Sequence, residues 1–191
     1  MRVAPAGLAG LFGGDPFTLG GQAAALTHGH PSDYLAAAAF AQMISDLVHG
    51  RSVADAADAA IGRLQAQGEA EVSTALAAAV SAAAAGPPST ETMVRLGAGW
   101  VAEEALAVAV YCALSAADFR SGVLLAVNHG GDSDSTGAIC GNLLGARLGA
   151  GAIDSGLLDG LEGRKVITQV ADDLYDVFAC GREPSSQRYP A

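Results

Sequence analysis

The chain has 191 residues, of which 51% are hydrophobic but only 5% aromatic, and it carries 20 acidic against 10 basic side chains. The formal net charge of −10 argues against general nucleic-acid binding, because phosphates require a basic face. Much of the hydrophobic content is alanine, the best helix former, so we predict an all-α fold in a single domain spanning residues 1–191.

The cysteines and the first residues bear on the cellular compartment. Cys112, Cys140 and Cys180 are widely spaced and form no Cys-x-x-Cys pair, which argues against a zinc ribbon or a disulfide framework. We therefore expect buried, reduced thiols in a cytoplasmic protein. Residues 1–7 do not resemble a signal peptide, and the apolar segments are too interrupted for a membrane span. The oligomeric state stays open.

Helical periodicity, interrupted by glycine and proline, divides the chain into predicted helices without any strand. The sequence predicts a bundle of seven or eight elements joined by short turns, and an irregular tail through Pro184 and Pro190. The first predicted segment is a short helix between Gly20-Gly21 and about Leu26. Three helices follow: one capped by Ser32 or Asp33 and ended by Gly50, one from the Ser52 capping box to Gly68, and one carrying Val72, Leu76 and Val80. The remaining segments are a short piece opened by Ser89 or Thr90, a central apolar helix at 101–114, a helix capped by Asp118, a helix ending at Gly149, and a last helix at 161–180.

Residues 129–137, His-Gly-Gly-Asp-Ser-Asp-Ser-Thr-Gly, concentrate polar side chains at the start of a small-residue helix. Asp132, Asp134 and the Ser135 hydroxyl are hard oxygen ligands, which suit Mg²⁺ or Ca²⁺ better than zinc or copper. A purely structural interpretation is that both carboxylates merely cap the helix and interact favourably with the positive end of its dipole. His129 is expected to be a hydrogen-bonding neighbour rather than a metal ligand.

Three site chemistries use two carboxylates at this spacing. An EF-hand loop beginning at Asp132 requires glutamate at its twelfth position, which is Leu143, so that class is excluded. The residues also fit the Asp-x-Asp-x-Thr signature of haloacid-dehalogenase-type phosphohydrolases, although the strand that must precede the first aspartate is not predicted. The third is a Mg²⁺ site in which Asp132, Asp134 and Ser135 face one pocket, where the ion could orient water or sugar hydroxyls.

Four segments together resemble the ADP-ribosylglycohydrolase family. Residues 129–137 and the helix after them resemble its C-terminal signature, and residues 97–105 resemble its Gly-Trp-x-x-Glu-x-Ala helix start. Residues 26–31 resemble its Leu-Thr-His turn, and residues 1–5 resemble the end of its Gly-Asn-Gly-x-x-Met-Arg segment. The resemblance implies the family's orthogonal multi-helix bundle.

The resemblance also implies a metal site and a reaction. Asp132, Asp134 and Ser135 would ligate one or both ions of a two-Mg²⁺ site, with Asp132 and Asp134 as the catalytic carboxylates. The reaction would be Mg²⁺-dependent hydrolysis of the N- or O-glycosidic bond between ribose and a side chain. The substrate would be an ADP-ribosylated protein or an ADP-ribose derivative, cleaved through an oxocarbenium-like state.

Substrate contacts are implied for residues outside the metal site. His28 would contact the bound ADP-ribose, and Gly130 and Gly131 would let the backbone approach it. Trp100 either lines a nucleotide pocket or anchors the packing of the helix that follows. The two glutamates at 103 and 104 are predicted to be structural, because acidic groups in a first helical turn favour its dipole.

The chain departs from the family pattern at the upstream metal ligands. The family's Gly-Asp and Thr-Asp-Asp-Thr segments have no counterpart here, and Asp172-Asp173 lies in the wrong order and context. Because Met1-Arg2 matches an interior Met-Arg of the family, we expect the N-terminal part of the fold to lie outside this chain, through a late start, a truncation or a separate chain. Weak or no activity of the chain alone is expected, and the alternative is a non-catalytic ADP-ribose-binding remnant.

Overall fold

A computed structural model describes residues 1–189, apart from the side chains of Leu11 and Phe12. The described residues form eleven α-helices, two 3₁₀ turns (Ala9–Phe12 and Ala150–Ala152) and no strand, which confirms the all-α prediction. Pro190, in the tail expected to be irregular, lies outside the described residues. The helices are α1 (Ala4–Leu8), α2 (Pro16–Ala25), α3 (Pro31–Val48), α4 (Val53–Ala66), α5 (Glu71–Ala85), α6 (Thr90–Leu96), α7 (Ala102–Ser115), α8 (Phe119–Val127), α9 (Ser133–Leu148), α10 (Ser155–Asp159) and α11 (Arg164–Cys180).

The helix α7 lies at the centre of the core, as its nearly uninterrupted apolar sequence predicts. Every residue from 105 to 113 is buried, and α7 packs against α3, α5, α8 and α9. A helix that is apolar on all sides can only be stable when neighbours surround it. These neighbours contribute large, fully buried side chains, among them Met43, Ile44, Leu76, Leu143 and Leu144.

Polar caps define the helix starts at the positions that the sequence predicts for α4, α6 and α8. The side chains of Ser52, Ser89 and Asp118 each accept a hydrogen bond from the amide three residues further on, at 3.1, 3.2 and 2.7 Å. Each such bond satisfies a backbone donor that the first helical turn leaves free. The alternative start of α6 at Thr90 is thereby decided in favour of a Ser89 cap.

The cap of α3 is a different residue from the predicted ones. His30 precedes the helix, and its Nδ1 accepts a hydrogen bond from the Ser32 amide at 3.3 Å. Pro31 occupies the first helical position, where its missing amide hydrogen removes no bond. Ser32 and Asp33 therefore already lie inside the first turn, and the prediction that one of them caps the helix is wrong.

The helix α2 starts earlier than predicted and contains the two glycines expected to precede it. Pro16 follows the N-cap residue Asp15 and opens the first turn. A Cβ atom on Gly20 would lie 2.6 Å from the Cβ atom of Ala41 on α3, so glycine lets the two helices approach closely. The predicted count of seven or eight elements is too low, since the predicted segments named above already number nine. The remaining two helices, α1 and α10, have only five residues each and carry no periodic signal.

The last helix, α11, lies on the exterior and packs against the 3₁₀ turn at Ala9–Phe12. Asp173 is the one buried residue between positions 164 and 180. Its carboxylate accepts hydrogen bonds from the Arg188 guanidinium at 2.7 Å and from the Tyr189 hydroxyl at 3.0 Å. The residues after α11 therefore fold back onto it.

The cysteines follow the expectation of burial only in part. Cys112 and Cys140 are buried, and desolvation raises the pKa of Cys112 to about 12. Cys180 is exposed, contrary to the prediction, because it ends a helix that lies on the surface. No helix within residues 1–189 is long and apolar enough to cross a bilayer.

Candidate functional site

A cleft of about 460 Å³ opens between the N-terminal residues, the corner that joins α2 to α3, and the starts of α7 and α9. Apolar side chains from α3, α7 and α9, including Phe40, Leu106 and Ile139, lie inside it. The cleft is also lined by the polar side chains of Arg2, His28, Asp33, Asp132 and Ser135 and by the ring of Trp100. The cleft thus brings together segments more than one hundred residues apart in the chain.

The start of α9 places one predicted carboxylate and one predicted hydroxyl in this cleft. Asp132 occupies the N-cap position, but its side chain makes no capping hydrogen bond. Asp132 and Ser135 both line the cleft, three residues apart along the helix. Asp134 is exposed and does not line the cleft. The Ser135 side chain, and after it the Asp134 side chain, hold the pKa of Asp132 below its usual range.

The glycines before Asp132 serve the contact between two loops. Gly130 has a φ of +81°, a backbone conformation that favours glycine. A Cβ atom on Gly131 would collide with the Ala98 carbonyl and would lie 2.6 Å from Cε1 of His129. Neither glycine lines the cleft. The close backbone contact that these glycines allow is the one with the Ala98 carbonyl. Contact of Gly130 and Gly131 with a substrate stays a prediction.

His129 is buried below the start of α9 and forms a hydrogen bond, as predicted. Its Nε2 lies 2.9 Å from the Thr136 hydroxyl, which lies 2.8 Å from the Ala126 carbonyl. The Thr136 hydroxyl also lies 3.0 Å from the Asp132 carbonyl, and both tautomers of the His129 ring satisfy its contact with Thr136. The buried Nδ1 of His129 has no partner among the described residues. The pair Thr136 and His129 fixes the first turn of α9 to the end of α8.

His28 also lines the cleft, in the exposed corner before α3. Its Nδ1 is 2.8 Å from the Thr27 hydroxyl, which also accepts a hydrogen bond from the Arg2 guanidinium at 2.6 Å. Arg2 therefore connects the N-terminal residues to this corner and brings its own charge to the cleft. Arg2 and Asp33 were not predicted as site residues. Asp33 was considered only as a possible helix cap, so its position at the cleft was missed.

Trp100 projects from the loop before α7 and lines the cleft with 72% of its surface exposed. That exposure is incompatible with a packing anchor, and a contact of Trp100 with a nucleotide stays a prediction. Glu104, which the sequence suggested only as a favourable charge in the first turn of α7, accepts hydrogen bonds from the Ala98 and Gly99 amides at 3.0 and 3.1 Å. No local sequence pattern predicts this contact with the preceding loop.

Oxygen ligands for a metal ion are few at this site. Within residues 1–189 no three His, Cys, Asp or Glu side chains lie close enough together to hold an ion. The predicted metal ligands Asp132, Asp134 and Ser135 comprise only two carboxylates and one hydroxyl. The acidic pair at 172 and 173 lies on α11, where Asp173 is occupied by Arg188 and Tyr189.

The phosphohydrolase alternative does not fit this architecture. Its first aspartate must stand at the end of a buried strand, whereas Asp132 stands at the start of a helix. The residues described contain no strand, and the loop before Asp132 contains two glycines. The Asp-x-Asp-x-Thr match is therefore coincidental, and that hypothesis is wrong.

Comparison with known proteins gives two matches. A family model described as ADP-ribosylglycohydrolase matches residues 1–183. A protein of Archaeoglobus fulgidus that carries only the description "Uncharacterized protein" is 35% identical over 83 residues. The similar segment covers 44% of this chain and 27% of the archaeal protein, so the chain spans about a quarter of that relative's length.

Proposed function

The chain belongs to the ADP-ribosylglycohydrolase family, and from that premise we propose that its cleft binds ADP-ribose and hydrolyses the N- or O-glycosidic bond that joins the ribose to a substrate side chain. The observation that carries this proposal is the meeting of His28, Trp100, Asp132 and Ser135 around one cleft. A volume of about 460 Å³ lies within the range of small-molecule sites. The substrate class is an ADP-ribosylated protein or a smaller ADP-ribose derivative.

The oxygen ligands fit one Mg²⁺ ion better than two. Mg²⁺ in proteins is commonly held by one or two carboxylates while it keeps several waters. Asp132 and Ser135, which line the cleft, would hold one face of such a hydrated ion together with the adjacent Asp134 carboxylate. No group of three His, Cys, Asp or Glu side chains among residues 1–189 could hold a second ion. When bound, the ion would supply Lewis-acid polarisation and orientation of a water molecule.

The remaining residues have roles that follow from their positions. The exposed ring of Trp100 offers a flat surface on which the adenine base can stack. Arg2 places a guanidinium at the cleft, where it would attract the diphosphate. The ionised carboxylate of Asp132 would stabilise the positive charge that develops on the ribose in an oxocarbenium-like transition state.

The test is ADP-ribose release from an ADP-ribosylarginine protein at millimolar Mg²⁺. We expect slow turnover, because the ion has few protein ligands, and a loss of at least about tenfold in Asp132→Asn. Asp172→Asn is the matched control, since it removes one carboxylate from α11 without touching the cleft. Release that does not depend on Mg²⁺ or on Asp132 contradicts the proposal.

A second candidate function is ADP-ribose binding without hydrolysis. The observation that favours it is the lack of three close metal-binding side chains among the described residues. Calorimetric titration with ADP-ribose, with and without Mg²⁺, separates the two functions. Binding that needs no metal, with no release of product, supports the binding module. Neither binding nor release contradicts both functions.

A further inference from the structure

The loop at residues 97–101 connects α6 to α7 and forms part of the cleft lining. It carries Gly99 and Trp100, both of which line the cleft, and the Glu104 carboxylate holds it from α7. Oε2 of Glu104 accepts hydrogen bonds from the amides of Ala98 at 3.0 Å and Gly99 at 3.1 Å. Hydrogen bonds to an ionised acceptor are about twice as strong as those between neutral groups. Glu104 therefore ties a glycine-containing loop to a helix whose following residues are buried.

The same loop contacts the start of α9 from its other side. The Ala98 carbonyl accepts a hydrogen bond from the Asp132 amide at 2.8 Å. Gly131 packs directly against that carbonyl, because a Cβ atom there would collide with it. Gly99 is buried against Thr136, whose Cγ2 would lie 3.0 Å from a Cβ atom at residue 99. Few side-chain adjustments are available in this contact, so a shift of the loop must also move Asp132.

We propose that Glu104 is a positioning residue that fixes Trp100 and Asp132 relative to each other at the cleft. The chain of contacts runs from the Glu104 carboxylate to the Ala98 amide, and from the Ala98 carbonyl to the Asp132 amide. The significance for ADP-ribose rests on the function proposed above, whereas the mechanical coupling is a property of the fold. A dipole effect alone does not require this geometry, since any acidic residue in the first turn of α7 supplies it.

The neighbouring Glu103 provides the matched control. It lies in the same helical turn and is also partly buried, but it makes none of the loop hydrogen bonds that Glu104 makes. Glu103→Ala removes one negative charge from the first turn of α7 and leaves the loop contacts in place. Glu104→Ala removes the same charge together with both hydrogen bonds. Glu104→Gln keeps an amide oxygen that can accept them without the charge.

The experiment measures amide hydrogen exchange of Asp132 by NMR and fluorescence anisotropy of Trp100, which is the one tryptophan of the chain. In Glu104→Ala we expect exchange at Asp132 to accelerate at least about tenfold and the anisotropy of Trp100 to fall, because the loop loses its attachment. ADP-ribose affinity is expected to drop about tenfold, since the cleft is no longer preorganised. Glu104→Gln should recover only part of each change and leave exchange at Asp132 severalfold faster than in the wild type, because its amide oxygen accepts the hydrogen bonds without the charge. Glu103→Ala should match the wild type.

Unchanged exchange at Asp132 in folded Glu104→Ala overturns the inference, and so do equal effects of Glu103→Ala. If Glu104→Ala loses its helical circular dichroism and is therefore unfolded, Glu104→Gln becomes the deciding variant. Loss of the charge alone is expected to accelerate amide exchange at Asp132 severalfold, and an unchanged exchange rate overturns the inference. A wild-type protein that binds no ADP-ribose refutes the proposed function but leaves the coupling between Glu104 and Asp132 measurable.

Discussion

An ion pair connects Asp15, which precedes α2, with Arg63 of α4, and neither residue lines the cleft. The Arg63 guanidinium donates to Oδ2 of Asp15 at 2.7 Å, and the Thr18 hydroxyl donates to the same oxygen at 2.5 Å. The guanidinium also lies over the Phe17 ring, 4.2 Å from its centroid. The Arg63 hydrogen bond, followed by that of Thr18, lowers the pKa of Asp15 to about 2. The folded state thus binds the proton of Asp15 less readily than the unfolded chain does.

The Asp15 ion pair predicts a stability difference that depends on pH. Since the folded pKa lies below the unfolded one, the stabilisation is complete above pH 4 and disappears as the pH falls through about 2. The carboxylate is 45% exposed, so the contribution is that of a surface pair, up to about 1 kcal/mol. Asp15→Asn keeps a good N-cap residue and removes the charge.

Denaturant unfolding of Asp15→Asn and wild type at pH 6 and pH 2 measures this difference. We expect the wild type to be more stable at pH 6 and the two proteins to converge at pH 2. Asp172→Asn, which changes a carboxylate outside any ion pair given by the structure, should unfold like the wild type at both values. An equal difference at both pH values would show that the effect comes from shape rather than charge.

At the scale of the elements, small residues decide how closely the helices pack. Gly20 of α2 faces α3, where a Cβ atom would meet the Ala41 methyl group at 2.6 Å and the Ala37 carbonyl at 3.1 Å. Real Cβ atoms essentially never come as close to another atom as 2.6 Å, and both neighbours belong to the helix α3. Gly62, inside α4, has no atom within 4 Å of the equivalent position. Gly20 is thus required by a close contact between helices, whereas the space beside Gly62 would accept a side chain.

Alanine substitution of these glycines is predicted to change stability in opposite directions. Gly20→Ala should destabilise the protein by about 1–3 kcal/mol, because the added methyl group forces α2 away from α3. Gly62→Ala should stabilise it by about 0.5–1 kcal/mol, because alanine favours a helix and nothing obstructs it. Thermal and urea unfolding give both values. A stabilised Gly20→Ala would refute the close contact.

The sequence predicts helices well where the signal is local. Ser52, Ser89 and Asp118 cap helices at the expected places, since capping needs only residues three apart. It fails at Gly20-Gly21, because the same pair indicates a break in isolation and a contact surface beside α3. The site follows the same division: Asp132 and Ser135 were found from their spacing, whereas Asp33 and Glu104 depend on contacts that only the folded chain creates.

Over the whole molecule, burial is distributed unevenly between the central and the last helix. Alanine content and apolar periodicity predicted the all-α core around α7, whose residues 105–113 are buried. The sequence of α11 is amphipathic, yet Val166 and Ile167 are 67% and 55% exposed. Asp173, bound by Arg188 and Tyr189, is the buried residue of that helix. Periodicity indicates that a face is apolar but does not supply a partner for it.

This difference predicts a wide range of backbone protection. Amides in α7 should open only with global unfolding, because every neighbouring helix must move away first. Amides in α11 should exchange at least about a hundredfold faster, since few buried contacts resist local opening. Hydrogen–deuterium exchange followed by mass spectrometry resolves the two peptides, and Arg188→Ala should accelerate exchange in α11 further by freeing Asp173, while leaving α7 unchanged. Equal protection of α11 and α7 would mean that in solution the apolar side of α11 is covered.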